Sequence, residues 1–219
     1  MTSCIVARVG PHSDIAGLAE ASSVPVINAL SADYHPLQAV TDILTISETF
    51  TKPEGIKVAW VGDANNVIYD LAMACAKLGI HVSIATPKEH PVPAGVLDPI
   101  VKEGKKYGAV IEAVHSPEAA VKDSNIIVTD TWVSMGQEEE KATRMKQFDG
   151  FQVTMDLAAR GGAKPDWKFM HCLPRHQEEV TDEVFYSDRS LVFEEAENRL
   201  YAAIAAIQAF VVNKGVIEG

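Results

Sequence analysis

The sequence predicts an α/β protein: a doubly wound parallel sheet with helices on both faces, plus part of a second α/β unit. Three observations predict it. Short β-branched runs alternate with helical stretches along most of the chain. One run, Ile56–Gly62 (IKVAWVG), is nearly continuous in apolar residues, as in a strand covered on both faces. Polar side chains also gather just past the ends of several strands, where open parallel sheets bind ligands.

Taken in order, Cys4–Val9 reads as a strand, and Ser13 caps a helix running to about Ser22. Val24–Leu30 is a second strand. A helix follows from Pro36, a residue suited to a first turn, to about Thr49. After the Ile56–Gly62 strand, Asn66–Leu78 is helical, with Val67, Leu71, Cys75 and Leu78 on its apolar face and Gly79 as its stop. The alternation continues with strand His81–Thr86, helix Ala94–Tyr107, strand Ala109–Val114 and a short helix Pro117–Lys122. It then runs through strand Ile126–Thr129, helix Gln137–Gln147 and strand Trp167–Cys172. The last helix, about Ala196–Val212, is apolar nearly all round and so calls for partners on more than one side. This pattern divides the chain into 1–31, the tail of one α/β layer, 32–189, a complete doubly wound domain, and a C-terminal helix in 190–219.

Composition narrows the function. The chain has 219 residues, 47% of them hydrophobic and 22% charged, with a formal net charge of -11. Acidic and basic residues are mixed, and without a basic stripe a nucleic-acid partner is not expected. No stretch has the apolar length of a membrane span, and the first residues lack the layout of a targeting segment. Cys4, Cys75 and Cys172 are too few and too far apart for a disulfide framework.

Four segments carry chemistry. In GDANN (Gly62–Asn66) the lone Gly62 lacks the further glycines of a dinucleotide fingerprint, and one of the two asparagines is expected to cap the next helix while the other stays free. In DTWVSMGQEEE (Asp130–Glu140), Asp130 ends a strand and can receive an ammonium, while backbone amides and the Ser134 hydroxyl near a helix start can receive a carboxylate. HCLPR (His171–Arg175) pairs a histidine with Cys172 without the spacing of a zinc site; its Leu173–Pro174 bond is open to the cis form. His35 and Gln38 in YHPLQ (Tyr34–Gln38) share one side of a helix start, a good place for a phosphate-bearing ligand. No metal or cofactor is expected.

With ARV at Ala7–Val9 and FEEAENR at Phe193–Arg199, these segments occur together and in order, and on them the whole chain resembles the ornithine carbamoyltransferases. The resemblance implies substrates, L-ornithine and carbamoyl phosphate, and a product, L-citrulline, in arginine biosynthesis or the urea cycle. It implies that Arg8, His35, Gln38 and Arg199 contact carbamoyl phosphate, with Cys172 and Leu173 beside its carbamoyl group. Asn66 and the amide of Met135 would hold the α-carboxylate of ornithine, and Asp130 and Ser134 its α-ammonium. Asp130, Cys172 and Arg199 would carry the catalysis. The family's S-T-R-T-R phosphate motif is absent, and Met1 matches an internal position. Residues 1–31 are therefore expected to be the remnant of a carbamoyl-phosphate-binding domain, and the C-terminal helix to pack back on the missing part. A full-length homotrimer is implied, in the mitochondrial matrix of a eukaryote or otherwise the cytoplasm. The competing readings are a carbamoyltransferase for another amine and a non-catalytic amino-acid-binding module.

Overall fold

A computed structural model describes residues 2–133 and 138–216. Among these, two parallel strands open the chain: β1 (Ile5–Arg8) and β2 (Val26–Leu30), joined by α1 (His12–Ala21). Helix α2 (Pro36–Thr49) leads to a five-stranded parallel sheet built from β3 (Lys57–Val61), β4 (His81–Ala85), β5 (Ile111–Val114), β6 (Ile126–Thr129) and β7 (Lys168–His171). The crossovers are α3 (Asn66–Lys77), α4 (Ala94–Lys106), α5 (Pro117–Val121), α6 (Lys141–Gln147) and α7 (Met155–Gly161). The chain closes with α8 (Asp182–Phe185) and α9 (Val192–Ile207), which runs on as one π-helical stretch through Val212.

The strand order β5-β4-β3-β6-β7 is the doubly wound arrangement expected from the alternation. The chain winds outward from β3 to β5, then returns to lay β6 on the other side of β3. Side chains of one strand therefore feed two cores. Val58 and Trp60 of β3 join Ile126 and Val128 of β6 and Met170 of β7 against α2, α3 and α4. Ala59, Val61, Ile127 and Phe169 point the other way, against Phe148, Phe151, Leu157, Val184 and their neighbours. Alternation every second residue is what puts hydrophobic residues at successive positions and makes the run continuous.

Several local expectations are corrected. Helix α1 begins at His12 with Pro11 before it and has no side-chain cap, so Ser13 lies inside the first turn. Val67, Leu71 and Cys75 are buried along α3, but Leu78 is the C-terminal cap residue and is exposed. A 3-10 turn (Glu138–Glu140) precedes α6, and α9 starts four residues earlier than expected, at Val192. Helix α7 is an addition to the expected elements, although Thr154 accepts from Leu157 N and Gly162, at φ 76°, stops it in the left-handed region.

Gly161 shows how closely α7 lies on α5. A Cβ there would meet Val121 Cγ2 at 2.2 Å and the backbone of Glu118 at 3.2 Å. Gly161→Ala is expected to lower the unfolding free energy by roughly 1–3 kcal/mol, read from urea unfolding curves. A variant as stable as the parent would mean that the two helices are not in this contact.

Candidate functional site

The switch point lies between β3 and β6, whose following loops part in opposite directions. Asn65 stands there after β3, and its Oδ1 accepts from Val67 N at 3.0 Å and Ile68 N at 3.3 Å, capping α3. Its Nδ2 donates to Asp130 Oδ2 at 2.8 Å, across the gap to the end of β6. Cys172, just past β7, donates its thiol hydrogen to Asp130 Oδ1 at 3.2 Å. Strand ends β3, β6 and β7 thus converge on the buried carboxyl group of Asp130.

Asn65 takes the cap and Asn66 is the asparagine left over. Asn66 is half-buried, and its Nδ2 donates to Ser31 O at 2.7 Å, which uses one amide hydrogen and leaves the other for a ligand. Burial, and then the charge of Asp130, push the Cys172 thiol well above its ordinary range. It is therefore a protonated donor to Asp130 rather than a thiolate.

A second group sits at the start of α2. His35 is the N-cap residue and is buried; its backbone N–H donates to Asp70 Oδ2 at 2.6 Å, and its Nδ1 has no partner among the described residues. Burial, helped by Arg199 and then Arg8, holds His35 down to about 4, so it is neutral near pH 7. Gln38 lies one turn on, and its Oε1 accepts from Arg199 of α9. Arg8 at the end of β1 is exposed and close enough for its charge to act on His35. Leu173 is exposed at the other edge, in a cis Leu173–Pro174 turn, and its N–H donates to His171 Nδ1 at 2.9 Å.

Of the residues singled out from the sequence, Asp130 and Cys172 are in direct contact, and Gln38 and Arg199 form a second contact beside His35. Asn66 touches neither pair and instead ties α3 to the loop after β2. Ser134 and Met135 lie outside the described residues. Asp130, His171 and Cys172 bring ligand atoms within 4.8 Å of one another, the minimum geometry for a metal. Both ring nitrogens of His171 already have partners, Leu173 N and Glu179 Oε2 at 3.0 Å, and the thiol is held protonated. The trio is accounted for as a hydrogen-bonded cluster.

Asp63 belongs to the GDANN segment already singled out, past the end of β3, but the other buried acids around this site escaped the sequence reading. Glu179 accepts from His171, and also from the backbone N–H and ring of His176; burial alone would raise it, but these bonds together bring it below the usual carboxylate range. Asp42 and Glu195 flank Gln38, and Asp63 pairs with Arg144. A spacing signal was available for two of them: Asp42 is four residues after Gln38, and Glu195 four before Arg199, each on the same helix face.

Comparison with known proteins places the site in context. Residues 54–210 match the family described as aspartate/ornithine carbamoyltransferase, Asp/Orn binding domain, and residues 1–48 match the carbamoyl-P binding domain of the same family. The mitochondrial ornithine carbamoyltransferase of Emericella nidulans is 61% identical over 230 residues, a match covering 100% of this chain and 64% of that protein. The corresponding protein of Schizosaccharomyces pombe is 55% identical, with 99% and 66% covered. Among solved structures, the mitochondrial ornithine carbamoyltransferase of Coccidioides immitis superposes with a TM-score of 0.92 at 56% identity, covering 100% of this chain and 69% of that one. The Pyrococcus furiosus enzyme gives 0.91 at 45% identity, covering 99% and 68%.

Proposed function

We propose that this chain, which belongs to the aspartate/ornithine carbamoyltransferase family, is the ornithine-binding portion of an enzyme that moves the carbamoyl group of carbamoyl phosphate onto the side-chain amine of L-ornithine. The products are L-citrulline and phosphate. The observation that carries the reading is the cluster at the switch point, where Asn65 and Cys172 both donate to Asp130 and leave its carboxyl group at the mouth of three strand ends. The chain spans 64% of the length of the Emericella nidulans relative.

In this reading Asn66 and Met135 receive the α-carboxylate of ornithine, and Asp130 and Ser134 its α-ammonium. The attacking amine has an ordinary pKa near ~10.4, so it must lose a proton before it can attack a carbonyl carbon. With the Cys172 thiol itself protonated, the Asp130 carboxylate is the group that takes up that proton, and Cys172 orients Asp130. Arg8, His35, Gln38 and Arg199 hold carbamoyl phosphate, with Leu173 and Cys172 beside its carbamoyl group. The neutral His35 serves as a hydrogen-bonding partner and leaves the two arginines to meet the phosphate charge. Attack forms a tetrahedral intermediate that expels phosphate; positioning and charge supply the rate.

The division into 1–31, 32–189 and 190–219 belongs to the same proposal. Leu200, Ile204, Ile207 and Phe210 stand exposed along α9 and its π-helical end, an apolar face that supports packing on a further part of the enzyme. A homotrimer of the full-length protein, in the mitochondrial matrix if the source is eukaryotic and in the cytoplasm otherwise, completes the reading.

The test is calorimetry of the purified chain with L-ornithine, then a citrulline assay with carbamoyl phosphate. Ornithine binding with little or no citrulline is expected from the chain alone, because the described phosphate partners lack the arginine-rich S-T-R-T-R motif. Citrulline should form once a segment carrying that motif is supplied in trans. No ornithine binding would sink the substrate assignment, and full activity from the chain alone would sink the account of the phosphate site.

A further inference from the structure

Asp42 and Glu195 have no role in the reading above, yet they are among the most buried charged residues, at 1% and 2% exposure. They come from α2 and from the first turn of α9 and meet at one atom: Gln38 Nε2 donates to Asp42 Oδ1 at 2.7 Å and to Glu195 Oε1 at 3.0 Å. Both carboxyl groups are thus held against one buried amide nitrogen. One neutral amide donor cannot offset two full negative charges, which favours a proton on one of them. Two adjacent carboxylates in a low-dielectric site would also repel strongly.

The surroundings favour the same state. The ionisable groups facing the pair are the Cys75 thiol from α3, Asp130 after β6, Cys172 after β7 and Arg199 one turn along α9. Both thiols are pushed up and stay neutral, and Asp130 is acidic, so Arg199 is the one cation among these four. Its guanidinium donates to Gln38 Oε1. Burial is the main cause that raises Asp42 to about 7 and Glu195 well above the ordinary range.

We infer that Asp42 and Glu195 share one proton and act as positioning residues, fixing the Gln38 amide with its oxygen toward Arg199 and holding the end of β7 that leads into Cys172. Both Nε2 hydrogens of Gln38 are consumed by the carboxyl groups, so the group it presents beyond them is Oε1, which keeps one lone pair beside the Arg199 bond. A flipped amide would set oxygen against two carboxyl groups and nitrogen against a guanidinium. A ligand group meeting Gln38 must therefore bring a donor, as an amino group does and a methyl does not. The other oxygen of Glu195 accepts from His171 N at 2.9 Å, so the same pair sets the residue before Cys172. Only the step from this geometry to a substrate rests on the carbamoyltransferase reading.

The test uses the 219-residue chain and its Asp42→Asn, Glu195→Gln and Asp42→Ala variants. At pH 6 the infrared spectrum of the parent should contain a protonated-carboxyl carbonyl band that Asp42→Asn lacks. The amide introduced by Asp42→Asn can offer Gln38 an oxygen and Glu195 an N–H. Nuclear magnetic resonance should therefore find slow exchange of both Gln38 side-chain hydrogens kept in Asp42→Asn and lost in Asp42→Ala. Thermal stability supplies a pH profile. A carboxyl group whose folded pKa is raised contributes stability below its unfolded pKa and loses it as pH climbs through the folded value, here about 7. His35, held down to about 4, works in the opposite sense between about pH 4 and 6.5, so the readout is the difference between variant and parent. The midpoint of Asp42→Asn minus that of the parent should rise by on the order of 5 °C from pH 5 to pH 8. If Asp42→Asn does not fold, Glu195→Gln carries the same three measurements. Equal carboxyl bands in parent and variant, or parallel pH profiles, would overturn the inference. Neither depends on ornithine or citrulline, so this failure is distinct from failure of the proposed function.

Discussion

Replacing Arg144 with methionine will destabilise the chain by about 3–5 kcal/mol, the usual cost of stripping one partner from a buried ion pair. Arg144 Nη2 lies 2.6 Å from Asp63 Oδ2, and both side chains are almost fully buried. Its Nε donates to Trp132 O at 2.6 Å, and its guanidinium lies 5.3 Å from the ring centroid of Phe148. Methionine fills much of the volume and makes the aromatic contact, but leaves Asp63 as an uncompensated buried carboxylate. Burial already raises Asp63 against the opposing pull of Arg144, so the variant should regain part of its loss in acid, where Asp63 takes up a proton. Adding Asp63→Asn should restore part of the stability at neutral pH. Denaturant titrations of the two single variants and the double variant, each at pH 5 and pH 8, would decide this. Additive losses with no pH dependence would show that the pair is not coupled. The same arginine joins α6 to the end of β3 through Asp63 and to the loop after β6 through Trp132.

Asp130→Asn should weaken L-ornithine binding by roughly 10- to 150-fold, the 1.5–3 kcal/mol expected when one member of a charge-assisted pair loses its charge. Glu139→Gln is the control: it removes the same charge from an exposed position on the 3-10 turn and should leave binding within a factor of about two. The geometry sharpens the expectation. Asn65 Nδ2 and the Cys172 thiol both aim hydrogens at Asp130, and an asparagine there must turn its own amide hydrogens toward one of these donors. The loss should therefore include disorder of the cluster, visible as a shift in Cys172 reactivity toward a thiol reagent. Equal ornithine affinities for the two variants would remove Asp130 from the ammonium site.

By itself the sequence determined the fold class and the order of most of its elements. Those depend on local periodicity and on one strong constraint: a run such as Val58–Val61 can be apolar at every position only if alternate side chains enter two cores. It also marked Asp130, Cys172, His35 and Gln38, because polar residues past strand ends and at helix starts are conspicuous against apolar runs. Short α7 and the early start of α9 escaped it, since seven residues carry little periodicity and Glu194 and Glu195 look like a solvated first turn. Tertiary structure alone decided which asparagine caps α3, that the thiol of Cys172 serves Asp130, and that Arg144 is buried on Asp63. It alone brought Asp42 and Glu195, far apart in sequence, onto one amide nitrogen. The physical reason is common to all of these. An acid in a sequence looks the same whether water or a second acid faces it, and only packing that removes the water turns its charge into a pairing that the fold must satisfy.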